Sequence, residues 1–285
     1  MRMSTHAPSQ NLTGQNLTGQ TPNHKTVAGL VTAELLPRSA YDVTYTPQKR
    51  VAGFAFEIQT GLHAFGGDRV CPFVTPPNTL AFTPAGCEVF SKSTTGGEYL
   101  TVAVDGKNID NLFEQPVITH RYSNAVNAQA RPLAEKLRNK LLFETIDTLG
   151  IEETALEFFE TAALATNTHH LPRKPASSMT QKRWRLFHDY LETNLSAPLS
   201  LQQISKELSL SSSFFIRAFK AATGATPHAY IVRRRLNEAR AKLLDPTASI
   251  AGVAAETGFA NQAHMTTVFR NHLGVTPRRY QQANP

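Results

Sequence analysis

The chain has 285 residues, 41% of them hydrophobic and 18% charged, with a formal net charge of +7. This length allows two domains with separate cores, and the composition is that of a folded globular protein rather than a disordered one. No apolar run approaches the ~20 residues that a membrane helix needs, and two cysteines, Cys71 and Cys87, are too few for a disulfide framework. The polar N-terminus lacks the apolar core of a signal peptide, so a reducing, cytoplasmic setting is expected.

The charge is unevenly placed. Residues 181–285 hold 14 Lys and Arg against 6 Asp and Glu, leaving 15 and 16 in the first 180 residues. A neutral half joined to a basic half points to a sensor or oligomerisation module attached to a module that binds a polyanion.

Residues 1–24 read as a disordered tail. Asn11-Leu-Thr-Gly-Gln15 repeats at once as Asn16-Leu-Thr-Gly-Gln20, and such polar sequence buries no apolar area. Residues 25–120 read as β. Short apolar segments at Val27–Leu35, Val51–Gln59, Thr79–Thr83, Glu88–Lys92 and Glu98–Val104 alternate with Gly and Pro signals. The segment Thr79 to Val89 resembles the strand, Pro-x-Gly, strand turn of cupin-type jelly rolls, so a cupin-like β-barrel is expected. His63 is the only histidine between Thr26 and Thr119. One imidazole cannot build the converging His and Glu set of a metal-binding cupin, so a metal-free barrel around a small organic effector is preferred. Tyr45, Phe54, Phe56, His63, Phe65 and Phe82 are the expected pocket walls, simple core packing being the alternative for each.

Residues 121–166 turn to helical periodicity, with Ala130, Leu133, Leu137 and Leu141, then Ile151, Ala155, Phe158, Phe159 and Ala162, at spacings of three and four. These helices either cover the barrel or pair with a second subunit. Residues 167–180 contain Pro172 and Pro175 and read as a linker.

From residue 181 onward the chain repeats itself. Phe219-Lys220, Gly224, Thr226-Pro227 and Tyr230 recur as Phe269-Arg270, Gly274, Thr276-Pro277 and Tyr280, offset by 50, while Leu201-x-x-Ile204 recurs as Ile250-x-x-Val253, offset by 49. A fixed period with one insertion marks a duplicated supersecondary unit. Each copy reads as a short helix, a turn and a second helix with a polar outer face, which is a helix-turn-helix: the first about 201–222, capped at Ser211, and the second about 249–272, capped at Asn261. A helix from about His228 to Leu244 joins them. Its length of ~25 Å is of the order needed to set two such units on successive major grooves ~34 Å apart. The fold class expected is therefore α+β: a cupin-like β-barrel with following helices, then an all-α domain of two helix-turn-helix units joined by a long helix.

Residues 184–282 resemble the DNA-binding domain of the AraC/XylS family of bacterial transcription regulators. The resemblance is carried by Phe215-x-Arg217-x-Phe219-Lys220, Arg235-Leu236-x2-Ala239, Leu243-Leu244, Ile250-x2-Val253-Ala254-x3-Gly258-Phe259 and both Gly-x-Thr-Pro-x2-Tyr blocks. It implies a regulator and not an enzyme, with an N-terminal effector or dimerisation domain. The partners expected are double-stranded operator DNA, a small-molecule effector, a second copy of the chain and RNA polymerase, with no membrane, cofactor or metal. Mapped by position, the first unit presents Ser212, Ser213, Ile216, Arg217 and Lys220, and the second presents Asn261, Gln262, His264, Thr266, Thr267 and Arg270. Arg217 suits guanine O6/N7 or a phosphate, and Gln262 suits adenine N6/N7. The family usually carries Arg where this chain has Thr267 and an aromatic where it has Met265, which weakens base readout by the second unit. The run Arg233-Arg234-Arg235 reads either as a contact to the DNA backbone or as a solvated helix face. The alternatives, a metal-independent cupin-fold enzyme and a helical protein-interaction scaffold, lack a convergent acid/base set and the ~3 repeats of a solenoid respectively.

Overall fold

The structure is a computed structural model that describes residues 24–28, 31–67, 69–104, 120–143, 148–165 and 179–283. The expected tail up to residue 23 and the linker from 167 to 178, with Asn11, Asn16 and His169-His170, lie outside the described residues. The chain divides into two compact units, Met1–Leu171 and Pro172–Pro285.

The first unit holds strands β1 (His24–Ala28), β2 (Val31–Leu36), β3 (Tyr41–Tyr45), β4 (Arg50–Ala55), β5 (Gln59–Phe65), β6 (Cys71–Thr75), β7 (Thr79–Thr83), β8 (Val89–Ser93), β9 (Tyr99–Val104) and β10 (Tyr122–Ala125), followed by helices α1 (Ala130–Phe143) and α2 (Thr148–Leu164). The strands form a six-stranded sheet in the order β1-β2-β9-β4-β7-β10 and a four-stranded sheet in the order β3-β8-β5-β6. Two sheets stand where a cupin-like β-barrel was expected, and no closed barrel is seen among the described residues. The expected segment Val27–Leu35 is the hairpin β1–β2, and Val51–Gln59 breaks after Ala55 into β4 and β5. Strand β6 lies outside the expected segments and contains Pro72. Proline is tolerated there because β6 is a sheet edge, where a missing N–H breaks no ladder.

Alternation along the strands gives the large sheet two different faces. Val31, Ala33 and Leu35 of β2, Ala52 and Phe54 of β4, Leu80 and Phe82 of β7, and Leu100 and Val102 of β9 point to one side and are at most 2% exposed. Helices α1 and α2 bury that face with Ala134, Leu137, Ile151, Ala155, Phe158 and Phe159 in one continuous core. The apolar stripe of both helices is thus spent on their own sheet. A buried ion pair ties α1 to the strands: Arg138 Nε and Nη2 donate to the two carboxylate oxygens of Glu98 at 2.8 and 3.0 Å.

The second unit is helical throughout its described residues: α3 (Gln181–Asn194), α4 (Leu201–Glu207), α5 (Ser212–Thr223), α6 (Pro227–Lys242), α7 (Ile250–Glu256), α8 (Gln262–Leu273) and α9 (Pro277–Ala283). Hydroxyl or amide side chains cap helix after helix. Thr180, Ser200, Ser211, Thr226, Ser249 and Asn261 each accept a backbone N–H from the first turn, which satisfies one of the donors a helix start leaves open. The two Thr-Pro motifs are therefore helix starts, with Thr as cap and Pro at a position where no N–H is needed. Phe187 anchors the first core, with Phe219 at 5.2 Å and Phe215 at 5.7 Å between ring centroids. The repeated tyrosines do the same work twice, Tyr230 packing on Phe219 at 5.7 Å and Tyr280 on Phe269 at 5.4 Å.

Candidate nucleic-acid interface

Helices α4 and α5 form one pair and α7 and α8 the other, with α6 between them in sequence. Each short helix ends in the same turn. Leu210 N donates to Ser205 O at 2.8 Å, and Phe259 N donates to Ala254 O at 3.0 Å, the six-to-one bond of a helix-terminating Schellman turn. The left-handed position is Ser209 (φ 52°) in the first turn and Gly258 (φ 78°) in the second. The second turn then takes one residue more before its cap, and this is where the 49-residue offset becomes 50.

Burial separates the faces of α5. Phe215, Ala218 and Phe219 are at most 2% exposed, while Ser213, Arg217 and Lys220 are exposed and Ile216 is half-buried beside them. Ser212 is turned back, its Oγ 2.9 Å from Ser205 Oγ of α4. On α8, Met265 and Phe269 are fully buried, and Gln262, His264, Thr267 and Arg270 are exposed. Several polar groups of this outer face serve the helix itself. Asn261 Oδ1 accepts from His264 N at 2.8 Å, Thr266 Oγ1 donates to Gln262 O at 2.9 Å, and Thr267 Oγ1 donates to Ala263 O at 3.1 Å. The side chains whose polar ends point outward without a described partner are therefore Ser213, Arg217 and Lys220 on α5, and Gln262 and Arg270 on α8. Arg217 and Lys220 make the α5 face cationic.

The arginine run on α6 is resolved residue by residue. Arg234 is 3% exposed and pairs with Glu192 and Glu238, both at 3.0 Å. Arg235 donates from Nε to Leu195 O at 3.0 Å and from Nη2 to Ala197 O at 2.7 Å, holding the end of α3 against α6. Both are structural, which leaves Arg233 as the member of the run open to either earlier reading. Two exposed cations on α9, Arg278 and Arg279, were not singled out in the sequence. Their signal was present, since the unassigned pair follows the second Thr-Pro directly.

Residues 204–283 match the family model described as a helix-turn-helix domain. The chain is 34% identical to the multiple antibiotic resistance protein MarA of Escherichia coli K12 over 96 residues, 34% of this chain and 76% of MarA. The chain belongs to the AraC/XylS family of transcription regulators. It is also 33% identical over 96 residues to the probable transcriptional regulator LumQ of Photobacterium leiognathi, a match that spans only 39% of LumQ. A solved structure of a transcriptional regulator with an AraC-type DNA-binding domain, from Chromobacterium violaceum, is 30% identical, covering 36% of this chain and 93% of that one with a TM-score of 0.35. All these likenesses lie in the AraC-type part of the chain or span about a third of it. Among the described residues no helix is long and apolar enough to cross a membrane.

The first unit places the six expected effector residues in two groups. Phe54, Phe56 and Phe82 are at most 1% exposed; Phe54 packs against Phe158 of α2 at 6.3 Å, Phe82 against Phe159 of α2 at 5.7 Å, and Phe56 against Phe54 at 5.0 Å. They are packing residues. Tyr45, His63 and Phe65 sit on the four-stranded sheet, where His63 lies 4.5 Å from Phe65 and stacks on Phe73 at 4.9 Å. Burial, and then the charge of Arg121, pull the His63 pKa down, which favours the neutral ring. A shallow cavity of about 230 Å³ lined by Ala64, Val70, Glu88 and Phe90 opens near this sheet. Ala64 and Phe90 alternate with His63, Phe65, Val89 and Ser91, so this cavity lies on the opposite face.

Proposed function

We propose that this AraC/XylS family member regulates transcription by binding double-stranded operator DNA, with α5 and α8 entering successive major grooves, and that a small molecule bound in the N-terminal unit controls it. The observation that carries the reading is the repeated pair of buried-inside, polar-outside helices, α5 with exposed Arg217 and Lys220 and α8 with exposed Gln262 and Arg270. Helix α6, 16 residues or ~24 Å long, is of the right order to space them along one face of the duplex. Arg217 is the base reader of the first unit and Gln262 of the second, while Lys220 and Arg270 take phosphates. The relatives are transcription regulators, which supports a regulator over a catalyst. A second copy of the chain and RNA polymerase are the further partners proposed on family grounds.

The test is a gel-shift titration of the full chain on its own upstream DNA at several salt concentrations. Affinity falls on a log–log plot with a slope of about −0.9 for each phosphate neutralised. Binding that ignores salt, or that does not distinguish the upstream fragment from unrelated DNA, sinks the reading.

A further inference from the structure

The two sheets of the N-terminal unit bring together faces unlike the dry one beneath the helices. On β9, Leu100, Val102 and Val104 are fully buried under α1 and α2, whereas Tyr99, Thr101 and Ala103, pointing the other way, are all half-buried. On β3, Tyr41, Val43 and Tyr45 are likewise half-buried, and the alternate residues Asp42 and Thr44 are exposed. Tyr45 and Phe65 both pair with Val89 and so share one face of the four-stranded sheet, Arg121 lies over the Phe65 ring, and Tyr99 feels the charges of Tyr45, Arg121 and Tyr41. Gly53 makes room for it. The Tyr99 ring lies directly over the Gly53 α-carbon, and a β-carbon there would strike the phenol.

The charge in this space is unbalanced. Arg121 lies with its guanidinium carbon 3.0 Å from the centroid of the Phe65 ring, and its Nε is fully buried with no hydrogen-bond partner. By contrast, Arg138 pairs with Glu98, Arg234 with Glu192 and Glu238, Arg235 with two backbone carbonyls, and Arg240, whose Nε is likewise buried with no hydrogen-bond partner, donates from Nη1 to Asn237 Oδ1 at 3.3 Å. Among the described residues the groups that respond to the charge of Arg121 are Tyr45, Tyr99, Cys87 and His63, and none of these is a carboxylate. The Tyr45 and Tyr99 hydroxyls also have no hydrogen-bond partner among the described residues, while Tyr41 is engaged with Gln59 and Ser91. Burial raises the pKa of both free tyrosines, so they stand as neutral O–H donors. A partly desolvated cation beside two idle donors is costly until an anion pairs with it.

We propose that Arg121, Tyr45 and Tyr99 form a binding site for the carboxylate of a small organic acid, held between the two sheets. The site rests on the reading that the N-terminal unit takes an effector, and it names that effector's chemical class. Arg121 supplies the counter-charge and the N–H donors, Tyr45 and Tyr99 donate their hydroxyls, and the body of the acid lies against Val43 and Thr101. Phe65 holds the guanidinium plane by stacking on it.

The experiment is a calorimetric melt of the full chain at fixed ionic strength with acetate, hexanoate and benzoate, each beside its neutral amide, and with inorganic phosphate. At least one acid raises the melting temperature of the N-terminal unit saturably, as a ligand that binds only the folded state must, and its amide does not. Arg121→Gln and Tyr45→Phe each weaken that acid by about tenfold or more, the range for hydrogen bonds to a charged group. Should Arg121→Gln fail to fold by circular dichroism, Tyr45→Phe and Tyr99→Phe carry the test. Acid and amide acting alike, no acid acting, undiminished binding by Arg121→Gln, or losses under about twofold in both tyrosine variants overturn the proposal. Phosphate acting as well as any acid also overturns it, assigning the site to an inorganic ion. The gel shift of the ligand-free chain is read separately. DNA binding without acid binding removes this inference alone, and acid binding without DNA binding removes the operator reading alone.

Discussion

Arg233, Arg234 and Arg235 are chemically identical neighbours with different roles, because α6 turns each by ~100° from the last. Arg234 faces two carboxylates, Arg235 faces two carbonyls at the end of α3, and neither is available to DNA. Arg217 has neither kind of neighbour among the described residues and is exposed on α5. Arg217→Ala is expected to weaken operator binding by about 1–3 kcal/mol and to relax preference at one base pair, measured by competition gel shift. Unchanged affinity and sequence preference would remove it as a base reader. The two left-handed turn positions make an opposite pair. Ser209 is exposed and holds φ 52° with a side chain that disfavours it, so Ser209→Gly should stabilise the chain by roughly 0.5–1 kcal/mol in urea unfolding. At Gly258 a β-carbon would meet Leu195 O and the Arg235 guanidinium. Gly258→Ala should therefore cost about 2 kcal/mol or more, the conformational penalty plus the displaced arginine.

Amphipathic period identified the elements but not always their partners. The three- and four-residue spacings in α1 and α2 were legible, and so was the alternation in β7 and β9. Alternation says which residues share a face, not which face a helix will cover. Phe54 and Phe82 therefore looked as suitable for a pocket as Tyr45 and Phe65, until α2 placed Phe158 and Phe159 on one face only. Edge strand β6, which contains Pro72, lay outside the expected segments, and β10 is short, irregular and contains Asn124 at φ 61°. The attachment of α1 to β9 spans 40 residues of sequence through Arg138 and Glu98. Arg138→Ala should cost about 3–5 kcal/mol because it removes one member of a buried ion pair. The double change Arg138→Met with Glu98→Gln should cost less than Arg138→Ala alone. A double variant as unstable as the single one would show that packing, not the uncompensated charge, sets the loss.

At the scale of the whole chain, two units carry two cores and different charge, the first half of the chain near neutral and the second basic. Trp184 is the one tryptophan of the chain, and it is buried against Phe219 at 5.1 Å in the helical unit. Its fluorescence thus reports on that unit, while circular dichroism sees both. Urea unfolding followed by the two signals should give non-coincident transitions, the expected departure from two-state behaviour in a two-unit chain. Arg138→Ala should shift the circular-dichroism transition and leave the Trp184 midpoint in place. A common shift in both signals would mean that the units unfold as one.

The amino-acid sequence alone determined what depends on near neighbours and on repetition. It set the helix starts at Ser, Thr and Asn, the Gly-x-Thr-Pro-x2-Tyr punctuation, the duplicated helix pair with its basic bias, and through these the family. Those features survive in a linear reading because capping, helical period and net charge act over a few residues or over the sum of them. The contacts between distant segments were decided by tertiary structure. Strand pairing settled a two-sheet arrangement, packing spent Arg234 and Arg235 on carboxylates and carbonyls inside the helical unit, and the meeting of β3, β5, β9 and residue 121 left one arginine facing tyrosines with no acid beside it among the described residues. A side chain's charge is written in the sequence, but whether it is neutralised depends on which neighbours the fold brings close, and for Arg121 these include Tyr45, 76 residues away along the chain.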